Sequence, residues 1–253
     1  MAKGKIPVAV QLYSVRKDCA ADLAGTLKAI AKMGYDGVEF AGFYNHGAAD
    51  VRKMLEDAGL KAAGAHVGLA LLEGDEIEKT IEFHRTLVNS HLIVPGIPEE
   101  RRKTISDWKK VAEKLNAIAE RLRKENMQTG YHNHMVEFAP MEGQIPWDVF
   151  FGIASSPDII VQMDTGNCLH GGADPVSFME KYPGRLTSVH LKEYSKTNGK
   201  AIIGEGEVRW NDVFRICEGP GKTKWYIVEQ ESYAYPPMEC IKKCREKLRE
   251  MGR

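Results

Sequence analysis

The chain has 253 residues, 35 basic and 35 acidic side chains that cancel, and 43% apolar residues, enough for a large core in one big domain or two small ones. The zero balance argues against a nucleic-acid partner, which takes an excess of Lys and Arg on at least one face. No run of about 18 apolar residues is present to span a membrane as a helix.

The first strand candidate, residues 7–13 (PVAVQLY), follows two lysines and is too short an apolar stretch for a leader, so a cytoplasmic chain is expected. A helical pattern over 22–33 puts Leu23, Leu27, Ile30 and Met33 on one face and stops at Gly34. Strand 37–40 (GVEF) precedes a helix over 50–58 that stops at Gly59, and strands 62–67 (AAGAHV) and 92–95 (LIVP) follow. A long helix over 106–126 repeats Trp108, Val111, Leu115, Ile118 and Leu122 every three or four residues. Then come strands 128–134 (QTGYHNH), 159–164 (IIVQMD), 186–191 (LTSVHL) and 225–229 (WYIVE), and a charged amphipathic helix over 237–251 closes the chain. Eight strand–helix units of about 30 residues each have the size of a βαβ repeat and sum to the length of a (β/α)8 barrel. An α/β fold, a single (β/α)8 TIM barrel forming one domain over 1–253, is therefore expected. An open doubly wound sheet would normally carry a glycine-rich phosphate loop, and neither GxGxxG nor a Walker A pattern is present.

In such a barrel the chemistry sits at the C-terminal ends of the strands. Four consecutive late strands end in polar pairs two residues apart: His132/His134, Gln162/Asp164, His190/Lys192 and Glu229/Glu231. Residues two apart in a strand face the same side, so these strands aim imidazoles, carboxylates and an ammonium at one place. Unpaired burial of such groups is very unfavourable, and a divalent cation removes the difficulty. One residue per strand gives His132, Asp164, His190 and Glu229 as metal ligands, a mixed N/O set that suits one Mn²⁺ foremost, or Mg²⁺, Co²⁺ or Zn²⁺. Glu39 and His66, at the ends of the second and third strands, Lys192, and Glu205 on the loop after the seventh are candidate substrate contacts. Trp108 and Trp210 read as packing, and the basic clusters at 101–103 and 242–247, with acids beside or among them, as solvated helix faces. Cys19, Cys168, Cys217, Cys240 and Cys244 form no CxxC pair and read as reduced thiols.

The segments VAVQLYSVR (8–16), GYDGVEF (34–40), VQMDTGN (161–167), VHLKEY (189–194), GEGEVRW (204–210) and YIVEQE (226–231) together resemble the xylose-isomerase-like TIM barrels. That superfamily holds sugar isomerases and epimerases, inosose dehydratase and class II apurinic endonucleases. The resemblance implies one divalent metal held from the fifth to the eighth strands, with Asp164, His190 and Glu229 matching the last three ligands. Ketose 3-epimerases of the family carry a Glu on the fifth strand, which forms an acid/base pair with the Glu of the eighth. Here that strand reads Tyr131-His132-Asn133-His134 with Glu137 just beyond. It looks more like the inosose dehydratase branch, and leaves the first ligand open among His132, His134 and Glu137.

The expected activity is that of a metal-dependent sugar isomerase or epimerase. The metal, as a Lewis acid, stabilises the enediolate left when a C–H next to a carbonyl loses its proton. Glu229, His134 and His132 are the candidate bases. Expulsion of a β-hydroxyl or glycosidic oxygen after the same first step gives the alternative, a dehydratase or lyase on a keto-sugar, an inosose or a 3-keto-glycoside. An endonuclease with a three-zinc cluster needs several more histidines at the site, and of the eight in the chain His46, His84 and His91 are not at strand ends. A non-catalytic sugar-binding barrel is the remaining reading. The expected partner is a small sugar or keto-sugar, with a homo-oligomer as an option.

Overall fold

Every expected strand forms, and each pairs in parallel with its neighbours. In the computed structural model, which describes residues 5–253, they are β1 Val8–Gln11, β2 Gly37–Phe40, β3 Lys61–His66, β4 His91–Val94, β5 Gln128–His132, β6 Ile159–Gln162, β7 Ser188–Leu191 and β8 Trp225–Val228. Residues 1–4, on which the leader-free reading of the N-terminus partly rests, lie outside that range. The hydrogen-bonded order is β6-β5-β4-β3-β2-β1-β8-β7. Between β6 and β7 the ladder shrinks to one parallel bridge, Asp164 with His190, where the His190 amide donates to the Met163 carbonyl at 2.8 Å. With helices between the strands, this nearly closed sheet is a single (β/α)8 TIM barrel.

Several strands stop earlier than their sequence patterns do. The fifth ends at His132, the sixth at Gln162 and the eighth at Val228, while residues 12–15 leave β1 as a 3₁₀ turn. Side-chain acceptors take over the backbone there: Asp164 N donates to Asn133 Oδ1 (2.8 Å), His134 N to Glu137 Oε2 (2.8 Å) and Gln230 N to Ser14 Oγ (3.0 Å). With these side chains as partners the backbone amides no longer pair in the ladder, and it ends there. His134, Asp164, Lys192 and Glu229 consequently sit on the first residues of the loops, at the mouth.

The helices are α1 Arg16–Ala21, α2 Leu23–Lys32, α3 Ala48–Ala58, α4 Glu76–Leu87, α5 Ile105–Arg123, α6 Pro146–Ile153, α7 Thr165–His170, α8 Pro175–Met179, α9 Trp210–Glu218 and α10 Pro237–Glu250. Asp22 caps α2 by accepting from Gly25 N at 2.9 Å, so that helix starts one residue later than its apolar pattern suggests. Gly59 stops α3 in the left-handed conformation (φ 71°). Thr104 and Asp107 form a capping box at the head of α5. The predicted faces are the buried ones, Leu23, Leu27 and Ile30 on α2, and Trp108, Val111, Leu115, Ile118 and Leu122 on α5. Trp108 meets Tyr131 and Phe150 edge-on with ring centroids 6.3 and 6.2 Å apart. Trp210 is also buried and donates its indole N–H to Glu193 Oε2 at 2.9 Å. Inside the barrel a small apolar plug of Ala9, Ala63 and Ile227, with Trp225 against it, forms a floor beneath the polar layer.

All five cysteines are free and buried. In the basic clusters Arg101 pairs with Glu73 (3.0 Å), Lys242 with Glu246 (3.9 Å) and Lys243 with Glu239 (3.7 Å). Arg245 departs from the expected solvated face: it is buried and donates to the Gly34 (2.8 Å) and Arg253 (3.1 Å) carbonyls. Among the described residues no helix is long and apolar enough to cross a membrane.

His84 on α4 gives the fold a pH dependence. Burial lowers it to about 4, and its Nδ1 accepts from Asn89 Nδ2 at 2.9 Å, a bond that the neutral ring makes. Below about 6.5 the unfolded chain takes up a proton that the folded chain refuses, so the contribution is complete above pH 6.5 and is lost as pH falls toward 4. The full linkage is about 3 kcal/mol. Between pH 7.0 and 4.5, wild-type protein is expected to lose about 2 kcal/mol more in urea unfolding than a His84→Leu variant. Parallel losses in the two proteins would contradict this assignment.

Candidate active site

Above the apolar floor lies a layer of polar side chains that are almost wholly buried: Gln11, Glu39, His132, Gln162, Ser188 and His190. Its upper edge carries the four residues expected as ligands. One donor atom from each of His132, Asp164, His190 and Glu229 lies within 4.8 Å of the others. His190 Nδ1 is 3.1 Å from Glu229 Oε2 and 4.0 Å from Asp164 Oδ2. Asp164 divides its labour: Oδ1 caps α7 by accepting from Asn167 N at 2.6 Å, while Oδ2 is buried without a hydrogen-bond partner. An unpaired buried carboxylate oxygen is expensive, and two imidazoles with two carboxylates are the donors a divalent cation takes. The residues present therefore fit such an ion.

The layer beneath sets the tautomers. Gln162 Nε2 donates to Glu39 Oε1 (2.8 Å) and Ser188 Oγ (2.9 Å), which turns its carbonyl oxygen toward His132 Nδ1 (3.1 Å) and His66 Nε2 (3.0 Å). Both imidazoles must then carry a proton on those nitrogens, and His132 keeps Nε2 as its lone-pair donor. Glu39 Oε2 receives Gln11 Nε2 (2.8 Å) and lies 2.6 Å from His190 Nε2, so His190 is held with Nδ1 toward Asp164 and Glu229. A carboxylate behind a ligand histidine is the usual orienting device. Gly64 makes room for it, because a Cβ there would come within 2.8 Å of Glu39 Oε1.

The electrostatics follow from these contacts. Burial opposes charge on Glu39, yet His66 and His190 hold it well below the usual carboxylate range. Burial likewise opposes charge on His190, but Glu39 and Glu229 raise it to about 10. His132, buried and beside His190, His66 and His134, is kept neutral. Burial pushes Asp164 up to about 7 against the pull of Lys192, with Glu229 adding to the rise. For Glu229 the desolvation is outweighed by Lys192 and His190, and it stays ionised. A cation among these groups would hold both carboxylates ionised and displace the extra proton on His190.

The set opens upward into a cavity of about 440 Å³ lined by Tyr13, His66, Pro95, His132, His134 and Glu229, among others. His134 is exposed at the mouth, its ring 5.2 Å from that of His132, and burial on its inner side lowers its pKa. Lys192 Nζ bonds Asn167 Oδ1 at 3.1 Å and pairs closely with Glu231.

Three of the candidates lie away from the cavity lining. Glu137 turns its oxygens to Tyr131 Oη (2.6 Å) and His134 N (2.8 Å) and does not join the convergent set, which takes His132 from the fifth strand. Glu39 is fully buried below the mouth and touches side chains of the layer, so it is placed to position His190 and His66 and not to meet a substrate. Glu205 lies on the loop after β7, as expected, but it is exposed, accepts from Ile202 N at 3.2 Å and does not line the cavity. His66 does line it, 10% exposed and stacked on His190 at 5.4 Å. His46, His84 and His91 lie outside the set, with His91 at the opposite end of its strand. Gln162 is a functional residue that the strand pattern signals only by its position two residues before Asp164. Asn133, which braces Asp164 through both its backbone N and O, has no such signal.

Fold and site together define a parallel (β/α)8 barrel with two imidazoles and two carboxylates that could hold a metal ion at the C-terminal ends of β5 to β8. The chain belongs to the xylose isomerase-like TIM barrel family, whose model matches residues 27–251. It is similar to an inosose dehydratase of Bacillus thuringiensis (strain Al Hakam), at 24% identity over 261 residues and 87% of each chain. Two structures of sugar phosphate isomerase/epimerases from Parabacteroides distasonis ATCC 8503 superpose with TM-scores of 0.82 and 0.84. Their identities are 26% and 25%, over 98% and 97% of this chain and 97% and 98% of theirs. These relatives are named for action on an inosose and on sugar phosphates.

Proposed function

We propose that this chain is a metal-dependent sugar isomerase or epimerase that removes a proton from the carbon next to a substrate carbonyl. The observation that carries the reading is the convergence of His132, Asp164, His190 and Glu229, with Asp164 Oδ2 unpaired, beneath a cavity of about 440 Å³ that His132 and Glu229 line. A divalent cation held by these four, with Mn²⁺ the first candidate, supplies positive charge for the oxygen that becomes anionic. Glu229, ionised and facing the cavity, and His134, neutral at the mouth, are placed to take and return the proton. Lys192, held charged by Asp164, Glu229 and Glu231 against burial, is placed to orient a hydroxyl or carbonyl. A base so placed contributes about 10²–10⁴-fold. The reading covers residues 1–253 as one domain and a cytoplasmic location, the latter supported by five buried free thiols.

A second reading, a dehydratase or lyase with the same first step, is favoured by one observation. The fifth strand presents His132 where a two-carboxylate epimerase needs a Glu, and Glu137 is occupied. Both readings are tested by incubating the Mn²⁺-loaded protein with ketoses, inososes and 3-keto-glycosides in D₂O and following the carbon next to the carbonyl by NMR. Deuterium uptake with retention of the skeleton is expected for isomerase or epimerase chemistry, and loss of water or of the aglycone for the second reading. No exchange in any of the three classes would count against the shared first step.

A further inference from the structure

The cavity over the four-residue set continues sideways in two directions of opposite character. Past His134 and Glu231 it joins a polar hollow of about 550 Å³ that includes Asn167, Lys192 and Asn198. Past Gly42 and His66 it joins a hollow of about 300 Å³ walled by Phe43, Val67, Leu71 and Phe83. The rings of Phe43 and Phe83 lie 4.4 Å apart at 48°, and Leu71 stands 49% exposed at the rim. Polar side chains in that wall are already engaged. Thr80 Oγ1 donates to the Leu71 carbonyl at 2.8 Å, His84 is bonded to Asn89, and Lys79 Nζ is paired with Glu76 at 2.6 Å. This second hollow therefore offers apolar surface and aromatic faces, and little to a hydroxyl or a phosphate. A lone monosaccharide over the four-residue set would leave it wet.

We propose that the hollow of Phe43, Val67, Leu71 and Phe83 is a subsite for an aromatic group carried by the substrate, whose sugar occupies the adjoining cavity. The aromatic substituent would lie against the two phenylalanine rings, reached from the reacting end past Gly42 and His66. The placement of the sugar rests on the reading of the preceding section; the affinity of the hollow for an aromatic ring does not.

The test uses the full Mn²⁺-loaded chain with phenyl glucoside, methyl glucoside (both anomers of each) and phenol as probes. Binding is followed by calorimetry and by the methyl NMR signals of Leu71 and Val67. Phenyl glucoside is expected to bind at least about tenfold more tightly than methyl glucoside, about 1.4 kcal/mol, and phenol alone to shift the Leu71 and Val67 signals. Phe83→Ala is expected to bring the phenyl-to-methyl ratio toward one. Leu71→Ser, a change at an exposed position, is expected to do so in part and guards against misfolding of the first variant. Equal affinities for the two glucosides with no phenol-induced shift would overturn the subsite. Phenol shifts without glucoside binding would support the subsite and count against the sugar in the central cavity.

Discussion

In EDTA a Glu229→Gln protein is expected to fold and melt like the wild type. Loaded with Mn²⁺, it is expected to lose at least about 10²–10⁴-fold in the rate of proton removal, the share a positioned base contributes. Mn²⁺ affinity is measured alongside, because the same carboxylate is one of the four proposed ligands. The glutamine keeps the volume of the glutamate, and its amide oxygen can still accept from His190 Nδ1, the contact now at 3.1 Å. What disappears is a negative charge facing the cavity, held ionised by Lys192 and His190 against its own burial. The measurement is the exchange rate of the substrate C–H with D₂O, alongside circular dichroism and a melting curve. Exchange at the wild-type rate would show that the proton goes elsewhere, His134 being the next group in line.

Asp164→Asn is expected to separate ion binding from folding. The asparagine can still cap α7 through its amide oxygen, as Asp164 Oδ1 does now toward Asn167 N. The buried, unpaired Oδ2 becomes a neutral amide group, so in EDTA the variant is expected to be at least as stable as the wild type. Adding Mn²⁺ to about 100 times its Kd is expected to stabilise the wild type by about 2.7 kcal/mol. For a chain of this size that corresponds to a rise of roughly 5–10 °C in Tm. The variant is expected to show little of that rise. An equal rise in both proteins, or none in the wild type, would remove Asp164 from the ligand set. Calorimetry with EDTA and then with Mn²⁺, Mg²⁺, Co²⁺ and Zn²⁺ in turn also ranks the ions.

The barrel and the late-strand cluster were legible in the sequence because both rest on short-range regularities. Strand-and-helix alternation survives local irregularity, and polar residues two apart at four successive strand ends are visible without any knowledge of depth. Depth itself was not visible. Glu39 pairs in register with Gln11 and Gly64, one residue inside the end of β2, next to a register shift between Val38 and Glu39, and so it lies below the mouth. The same-face argument for His132 and His134 holds only while the strand continues. It stops at His132, leaving one ring buried against Gln162 and the other exposed. Glu137 looked available because its two partners, a tyrosine hydroxyl and a backbone amide, come together only once the loop has folded.

The seam between β6 and β7 ties the chemistry to the architecture. Among the described residues the one bridge between β6 and β7 joins Asp164 to His190, so two of the four convergent side chains stand on residues that help shut the barrel. The bridge is made by main-chain atoms and fixes where those two side chains start, whereas Tyr13, Leu71, Met135 and Tyr235 stand on connections outside the strands. Divergence toward new substrates is thus cheapest at the rim and most constrained at the seam. One scaffold can in this way change what it recognises while keeping how it reacts.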